Sequence, residues 1–160
     1  MSTESVHNAD IPSGLRELHG AVLDIVAVMN RPQNDERMVQ AAGIRLDRAL
    51  FPLLVLVERL GPLPLGELAD RVGRDHTTIS RQAAKLESLG LITRHPGQRD
   101  GRVREASITP AGKAMTDRID AARDRIMRET LAGWPPDEVD ALIRLVRRYA
   151  DAMLARTERG

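Results

Sequence analysis

Ile11, Leu15, Leu18, Val22, Ile25 and Met29 recur at alternating steps of four and three, the spacing that lays side chains along one stripe of an α-helix. A helix over 13–31 is predicted, closed where Arg31 meets Pro32, because the residue before a proline is pushed out of helical backbone angles. Its stripe is narrow, as in a seam between packed helices. After a polar patch, Asp47 is placed to cap a helix that runs to Leu60, where "GPLPL" stops it. Pro52 interrupts that run and predicts either a kink or a shifted start. "LGELADRV" from Leu65 to Val72 sets Leu65, Leu68, Ala69 and Val72 on one face, and Gly73 follows as a turn. Asp75 can cap a second helix through Leu89, with Gly90 as its left-handed terminator and Leu91 folding back on Leu86. Helix, tight turn, helix is the outline of a helix-turn-helix.

Beyond it the period changes. Ile92 to His95 and Val103 to Ile108 read as short strands around "QRDGR", with Asp100-Gly101 as the turn dipeptide of a hairpin. Thr109 then caps a helix with Pro110 at its first position, and Met115, Ile119, Ala122 and Ile126 restore the helical spacing. "GWPPDE" breaks it at Gly133. A last helix starts near Pro136, carries Asp137 and Glu138 in its first turn, and aligns Val139, Leu142, Val146, Tyr149 and Met153. The chain is thus mainly α with one small β-hairpin. It divides into a disordered stretch over 1–10, N-terminal helices over 11–46, a core over 47–113 and C-terminal helices over 114–160.

Charge adds what the pattern lacks. The formal net charge of the 160 residues is only +1, yet the segment from Arg71 to Arg104 carries +5 and the remainder −4. A basic segment in an acidic remainder is a localised electrostatic footprint. The absence of cysteine excludes disulfides, thiolate metal sites and thiol sensing. No signal-peptide start and no run of about 18 apolar residues is present, so a soluble cytoplasmic protein with no membrane partner is expected.

On a helical wheel of ~100° per residue, Thr77, Thr78, Arg81, Lys85 and Ser88 share one arc, while Ile79, Ala83 and Leu86 lie opposite. The outer arc holds hydroxyls and cations and no carboxylate. It suits a helix entering a DNA groove, with short hydroxyls close to base edges and long cations spanning to guanine or phosphate. The same residue types also furnish ordinary solvated helix faces, but such faces more often alternate their charges along the helix. In the hairpin, Arg99, Arg102 and Arg104 around Gly101 make a slim cationic projection able to enter a minor groove, with Asp100 placed to hold Arg102 extended by a charge-assisted hydrogen bond. A charged, solvated surface loop is the plainer account of the hairpin taken alone.

The stretch "LGELADRVGRDHTTISRQAAKLESLGLITRHPGQRDGRVREASITPAGKAM" resembles the winged helix-turn-helix core of the MarR (multiple antibiotic resistance regulator) family of transcription factors, above all in "TTISRQAAKLESLGLI" and "RDGR…SITPAG". The resemblance implies a winged helix-turn-helix flanked by helices that dimerise. It also implies a homodimer that binds a pseudo-palindromic operator in double-stranded DNA, generally as a repressor. Carried over, it puts Thr77, Thr78, Ser80, Arg81 and Lys85 at the major groove and Arg102 at the minor groove, positioned by Asp100. Arg74, Arg99, Arg104 and Asp100 complete the candidate DNA-binding set together with His76, which at the helix start reads as a phosphate neighbour or a surface residue.

The resemblance further implies release of DNA by a small aromatic or lipophilic ligand. Phe51, Trp134 and Tyr149 are the only rings for stacking, and each reads more readily as core or interface. The histidines at 7, 19, 76 and 95 have no metal-ligand spacing. No phosphate loop, Ser-His-Asp ordering or metal pair points to an enzyme or a cofactor. A winged-helix module that binds another protein is the competing class, but its face would be expected to show an apolar or aromatic anchor.

Overall fold

The middle of the basic segment is a helix backed by two other helices and a three-stranded sheet. A computed structural model describes residues 11–158; the N-terminal stretch read as disordered lies outside the described residues. Helices α1 (Ile11–Met29) and α2 (Pro32–Ala42) precede α3 (Phe51–Leu60), β1 (Leu63–Pro64), α4 (Leu65–Val72) and α5 (His76–Ser88). Strands β2 (Ile92–Pro96) and β3 (Arg104–Ile108) follow, then α6 (Pro110–Thr130) and α7 (Pro136–Thr157). Two compact units result, one ending at Ala121 and the other beginning at Ala122. None of the described helices is long and apolar enough to cross a membrane.

Most predicted elements are present, with three differences. The polar patch after α1 is itself a helix, α2: Pro32 sits in its first turn, where a missing N–H costs nothing, and left-handed Gly43 ends it. The helix predicted from Asp47 begins at Phe51, which puts Pro52 in the first turn as well; Asp47 instead accepts the Ala49 N–H at 2.8 Å in the turn before it. The hairpin gains a third strand, because Leu63 and Pro64 pair antiparallel with Ala106 and Glu105. The sheet order is β1-β3-β2, with Ile92 opposite Ile108 and Arg94 opposite Ala106.

The core of the first unit follows from these faces. Leu53, Leu54 and Val57 of α3, Leu68 and Ala69 of α4, and Ile79, Ala83 and Leu86 of α5 meet Leu63, Leu91, Ile92 and Ala106 from the sheet and its joints. A second cluster of Ile44, Phe51 and Ile119 seats the loop after α2 and the middle of α6 against α3. Ion pairs reinforce that seam at the surface: Arg59 reaches Asp120 at 2.6 Å, and Lys113, paired with Asp117 one turn on, faces Glu58 at 3.8 Å. Exposed pairs of this kind contribute little each.

Helix α5 ends as the sequence indicates. Gly90 has φ of 73°, the left-handed region in which a side chain is strained, and Leu91 N–H returns to the Leu86 carbonyl at 3.0 Å. Thr109 locks this joint to α6, since its hydroxyl donates to the Gly90 carbonyl at 2.6 Å and accepts the Gly112 N–H at 3.0 Å. Gly112 lies so close that a Cβ there would meet the Leu91 carbonyl oxygen at 2.1 Å.

In the second unit, the end of α6 and α7 are joined through Gly133 and Pro135, with Pro136 in the first turn of α7 beside Asp137 and Glu138. None of the α7 side chains is buried. We predict that Gly112→Ala lowers stability by roughly 1–3 kcal/mol in a urea melt, because backbone must move to admit one methyl group.

Candidate nucleic-acid interface

Helix α5 owes its orientation to its inner stripe. Ile79, Ala83 and Leu86 are each 0% exposed, and they face the core as the wheel predicts. The outer arc is consequently open: Thr77, Ser80, Arg81, Lys85 and Ser88 are exposed and Thr78 is half-buried. Arg81 and Lys85 also wall a shallow cleft of about 350 Å³ whose other side is Asp47, Ala49 and Leu50.

The start of the helix is secured by Asp75. One carboxylate oxygen accepts the Thr78 N–H at 2.8 Å and the other accepts the Thr78 hydroxyl at 2.8 Å. The N–H bond first, and the hydroxyl second, hold the Asp75 carboxyl below its usual 3.8. Thr78 therefore presents outward a hydroxyl whose proton is already committed. His76 opens the helix exposed, its ring over Gly66.

Arg74, counted among the DNA-facing cations by sequence, has a structural task. It is half-buried, and its Nη1 donates to the Ala49 carbonyl at 2.9 Å and to Gln82 Oε1 at 2.8 Å. It ties the turn between α4 and α5 to the loop before α3 and to the middle of α5. Asp35 on α2 feels the same charge: burial pushes its carboxyl up, opposed by Arg74 and Arg48.

The hairpin is less regular than a two-residue turn. Gly97 N–H bonds the Val103 carbonyl at 2.7 Å, and Val103 N–H bonds the Asp100 carbonyl at 3.1 Å, so a β-turn over 100–103 sits inside a longer loop. Arg99, Arg102 and Arg104 are exposed, as expected. Asp100 differs from expectation: it accepts the Arg102 backbone N–H at 2.9 Å and not the guanidinium. An aspartate two residues before a turn amide bonds that amide readily, so Asp100 shapes the loop and leaves the Arg102 side chain outward. Arg104 Nη2 leans toward the Arg94 carbonyl at 3.4 Å.

Sequence reasoning missed one contact. Glu87 of α5 takes three donors from Arg94 of β2: the backbone N–H at 2.8 Å, Nε at 3.2 Å and Nη2 at 3.0 Å. The guanidinium first and the N–H second keep the Glu87 carboxyl below its usual 4.5. Separation across a glycine turn hid this pair; an acidic residue in the last turn of a helix and an arginine early in the next strand are its only trace. His95 is likewise internal, its Nε2 at 2.7 Å from Ser107 Oγ and its Nδ1 at 3.0 Å from the Pro96 carbonyl. Among the described residues no group of three or more histidines and carboxylates is placed to hold a metal ion.

Comparison with known proteins gives this arrangement a context. A model of the MarR family matches residues 46–103. YxaD of Bacillus subtilis (strain 168), an uncharacterised HTH-type transcriptional regulator, is 33% identical over 109 residues, covering 68% of this chain and 76% of its own length. A MarR family protein from Bacillus stearothermophilus superposes with a TM-score of 0.71 at 20% identity, over 89% of this chain and 97% of that one. Bordetella bronchiseptica BpsR, whose DNA binding is regulated by 6-hydroxynicotinic acid, shares the fold at a TM-score of 0.53 and 22% identity, over 79% of this chain and 93% of its own.

The cap carries a pH prediction. A carboxyl held low when folded stabilises above its unfolded value and ceases to as pH falls through the folded one. The thermal midpoint of Asp75→Ala should therefore lie below wild type at pH 7, and the gap should close as pH drops below about 4.

Proposed function

The chain belongs to the MarR family of DNA-binding transcriptional regulators, and on that premise we propose that it represses transcription as a homodimer on a pseudo-palindromic operator, with α5 in the major groove and the β2–β3 hairpin as a wing in the minor groove. The observation that carries this reading is the carboxylate-free outer face of α5, on which Thr77, Ser80, Arg81 and Lys85 are exposed while the inner face is fully buried. A helix held so from behind offers its outer residues to a ligand without disturbing the core. Arg81 and Lys85 reach base edges or phosphates, Thr77, Thr78 and Ser80 make short contacts, and His76 lies by the backbone. Arg102 enters the minor groove, with Arg99 and Arg104 at its rims.

Two-fold assembly is supported by apolar side chains that the single chain leaves in water. Leu15, Leu18, Leu23, Ile25, Val26 and Met29 are exposed on α1, Met29 at 68%. On α7, Leu142, Ile143, Leu145, Val146, Tyr149, Met153 and Leu154 are exposed, Ile143 at 61%. Apolar stripes of that extent mark interaction surfaces. Two copies also place two recognition helices on half-sites ~34 Å apart, the usual geometry of helix-turn-helix dimers.

Release by a small aromatic or lipophilic acid completes the reading. The regulation of BpsR by 6-hydroxynicotinic acid supports it, as does an open cleft of about 480 Å³ in the first unit with Ile44, Ala114 and Met115 on its floor and Arg45 and Arg118 at its edge.

Binding-site selection from random duplex DNA tests the groove assignment. Arg81→Ala should change which base is preferred at one position, by ~1–3 kcal/mol, whereas Arg102→Ala should weaken all sequences about equally. A wild-type protein that enriches nothing at low salt would overturn the reading in favour of a protein-binding module. For the assembly, Val146→Asp should convert a dimer to a monomer in sedimentation and flatten the dependence of DNA affinity on salt, since about half the phosphate contacts are lost. A wild-type monomer would sink the two-fold model.

A further inference from the structure

We infer that Glu87 is a positioning residue for DNA binding: through Arg94 it fixes the angle between the recognition helix and the wing, so that both grooves are met by one rigid body. The inference rests on the groove assignment above. Helix α5 and strand β2 are joined only through Leu89, Gly90 and Leu91, and β2 is an edge strand of the sheet. The bonds from Leu91 N–H to the Leu86 carbonyl and from the Thr109 hydroxyl to the Gly90 carbonyl lie at that joint. Ties at a pivot resist separation but oppose rotation weakly.

Glu87 acts away from the pivot. Its Oε2 takes the N–H of Arg94, the third residue of β2, at 2.8 Å, while Oε1 takes Nε and Nη2 of the same residue at 3.2 and 3.0 Å. A pair made by side chains alone would let the arginine follow a moving helix. The backbone bond does not, because it fastens the strand itself, and the guanidinium fork adds charge and a fixed plane. Arg104 of β3 leans on the Arg94 carbonyl at 3.4 Å, so both strands of the wing refer to the same point.

The lever behind it is long. At ~3.3 Å per residue as an upper bound, the arginines of the loop lie no more than ~17 Å beyond Arg94, so a ~10° swing moves the tip by up to ~3 Å, about a hydrogen-bond length. Stability depends on the pair far less, since Leu86, Leu91 and Ile92 already seal the joint from beneath and are buried without it.

The test uses the full chain and a duplex bearing the sequence that wild type enriches from random DNA. Hydroxyl-radical protection at the edges of the site reports the wing in the minor groove, and dimethyl-sulfate protection of guanine N7 reports the helix in the major groove. Glu87→Ala should lose the edge protection, as Arg102→Ala does, bind on the order of tenfold more weakly with a shallower salt slope, and keep the N7 protection. Glu87→Gln, which retains one acceptor for the Arg94 N–H, should recover part of the edge protection. A merely structural role would reduce both protections together, in step with the thermal midpoint. That result, or an unchanged footprint in a wild type that does bind, overturns the inference alone. Should Glu87→Ala fail to fold, Glu87→Gln carries the comparison with wild type. Arg94→Met, which loses the guanidinium fork while Glu87 still holds the N–H, should keep most of the edge protection; complete loss of it there overturns the role given to the backbone bond. A wild type with no enriched site overturns the DNA reading and this inference with it.

Discussion

Burial of one stripe of α5 is the constraint on which the rest depends. Ile79, Ala83 and Leu86 are sealed by side chains of α3, α4 and the sheet; Ile79 and Leu86 each contribute roughly 1.5–3 kcal/mol by leaving water, and the single methyl of Ala83 less than about 1 kcal/mol. That anchoring is one-sided, so the opposite arc has no packing duty and its side chains are left free to meet a partner. The polar fixtures serve the same end. Asp75 sets where the helix starts, Gly90 where it stops, and Arg74 braces its middle through Gln82. A helix with both ends and its back defined presents its outer groups with little further ordering needed on binding, which lowers the entropic cost of recognition.

Charge in this segment has two functions that a simple count merges. Arg71 pairs with Glu67, Arg94 with Glu87, and Arg74 is taken up by a carbonyl and an amide. These cations are spent in setting geometry. Arg81, Lys85, Arg99 and Arg102 remain outward, on the helix arc and the hairpin loop, with Arg104 only weakly tethered. The net charge of the whole chain is unrevealing because the −4 of the remainder offsets the +5 of this segment. What distinguishes the α5 arc is the absence of carboxylates among its members, while in the hairpin loop the one aspartate between the arginines, Asp100, is engaged by a backbone amide.

Local signals made much of this legible. The α5 stripe, the Asp75 cap, the Gly90 terminator and the Thr109 start are each written within a few residues, and the structure has them where the spacing predicts. Features that depend on distant partners were not. Helix α2 is too polar to show a stripe, and β1 is two residues whose pairing with β3 is visible only in three dimensions. Pro52 was ambiguous because proline fits a first turn as well as it breaks an interior, and only the position of Phe51 decides between them. At the candidate interface the exposed residues were readable from periodicity. Their supports were not: Arg74 looked like a free cation, and Asp100 looked like a partner for a side chain when it is bonded to an amide.

The two ends of the chain reverse the logic of α5. There a helix hides its apolar stripe and shows its polar arc; α1 and α7 show apolar stripes and leave almost nothing buried. At 42% hydrophobic residues the chain has enough apolar surface for a larger core than the first unit holds. Isolated exposed leucines are unremarkable, but rows of them at helical spacing carry a standing free-energy cost that an apolar partner surface would remove. In the proposed dimer the meeting of these helices would bring two recognition surfaces into one particle. A ligand that alters how those helices meet would then act on DNA affinity without touching a single residue of α5 or the wing.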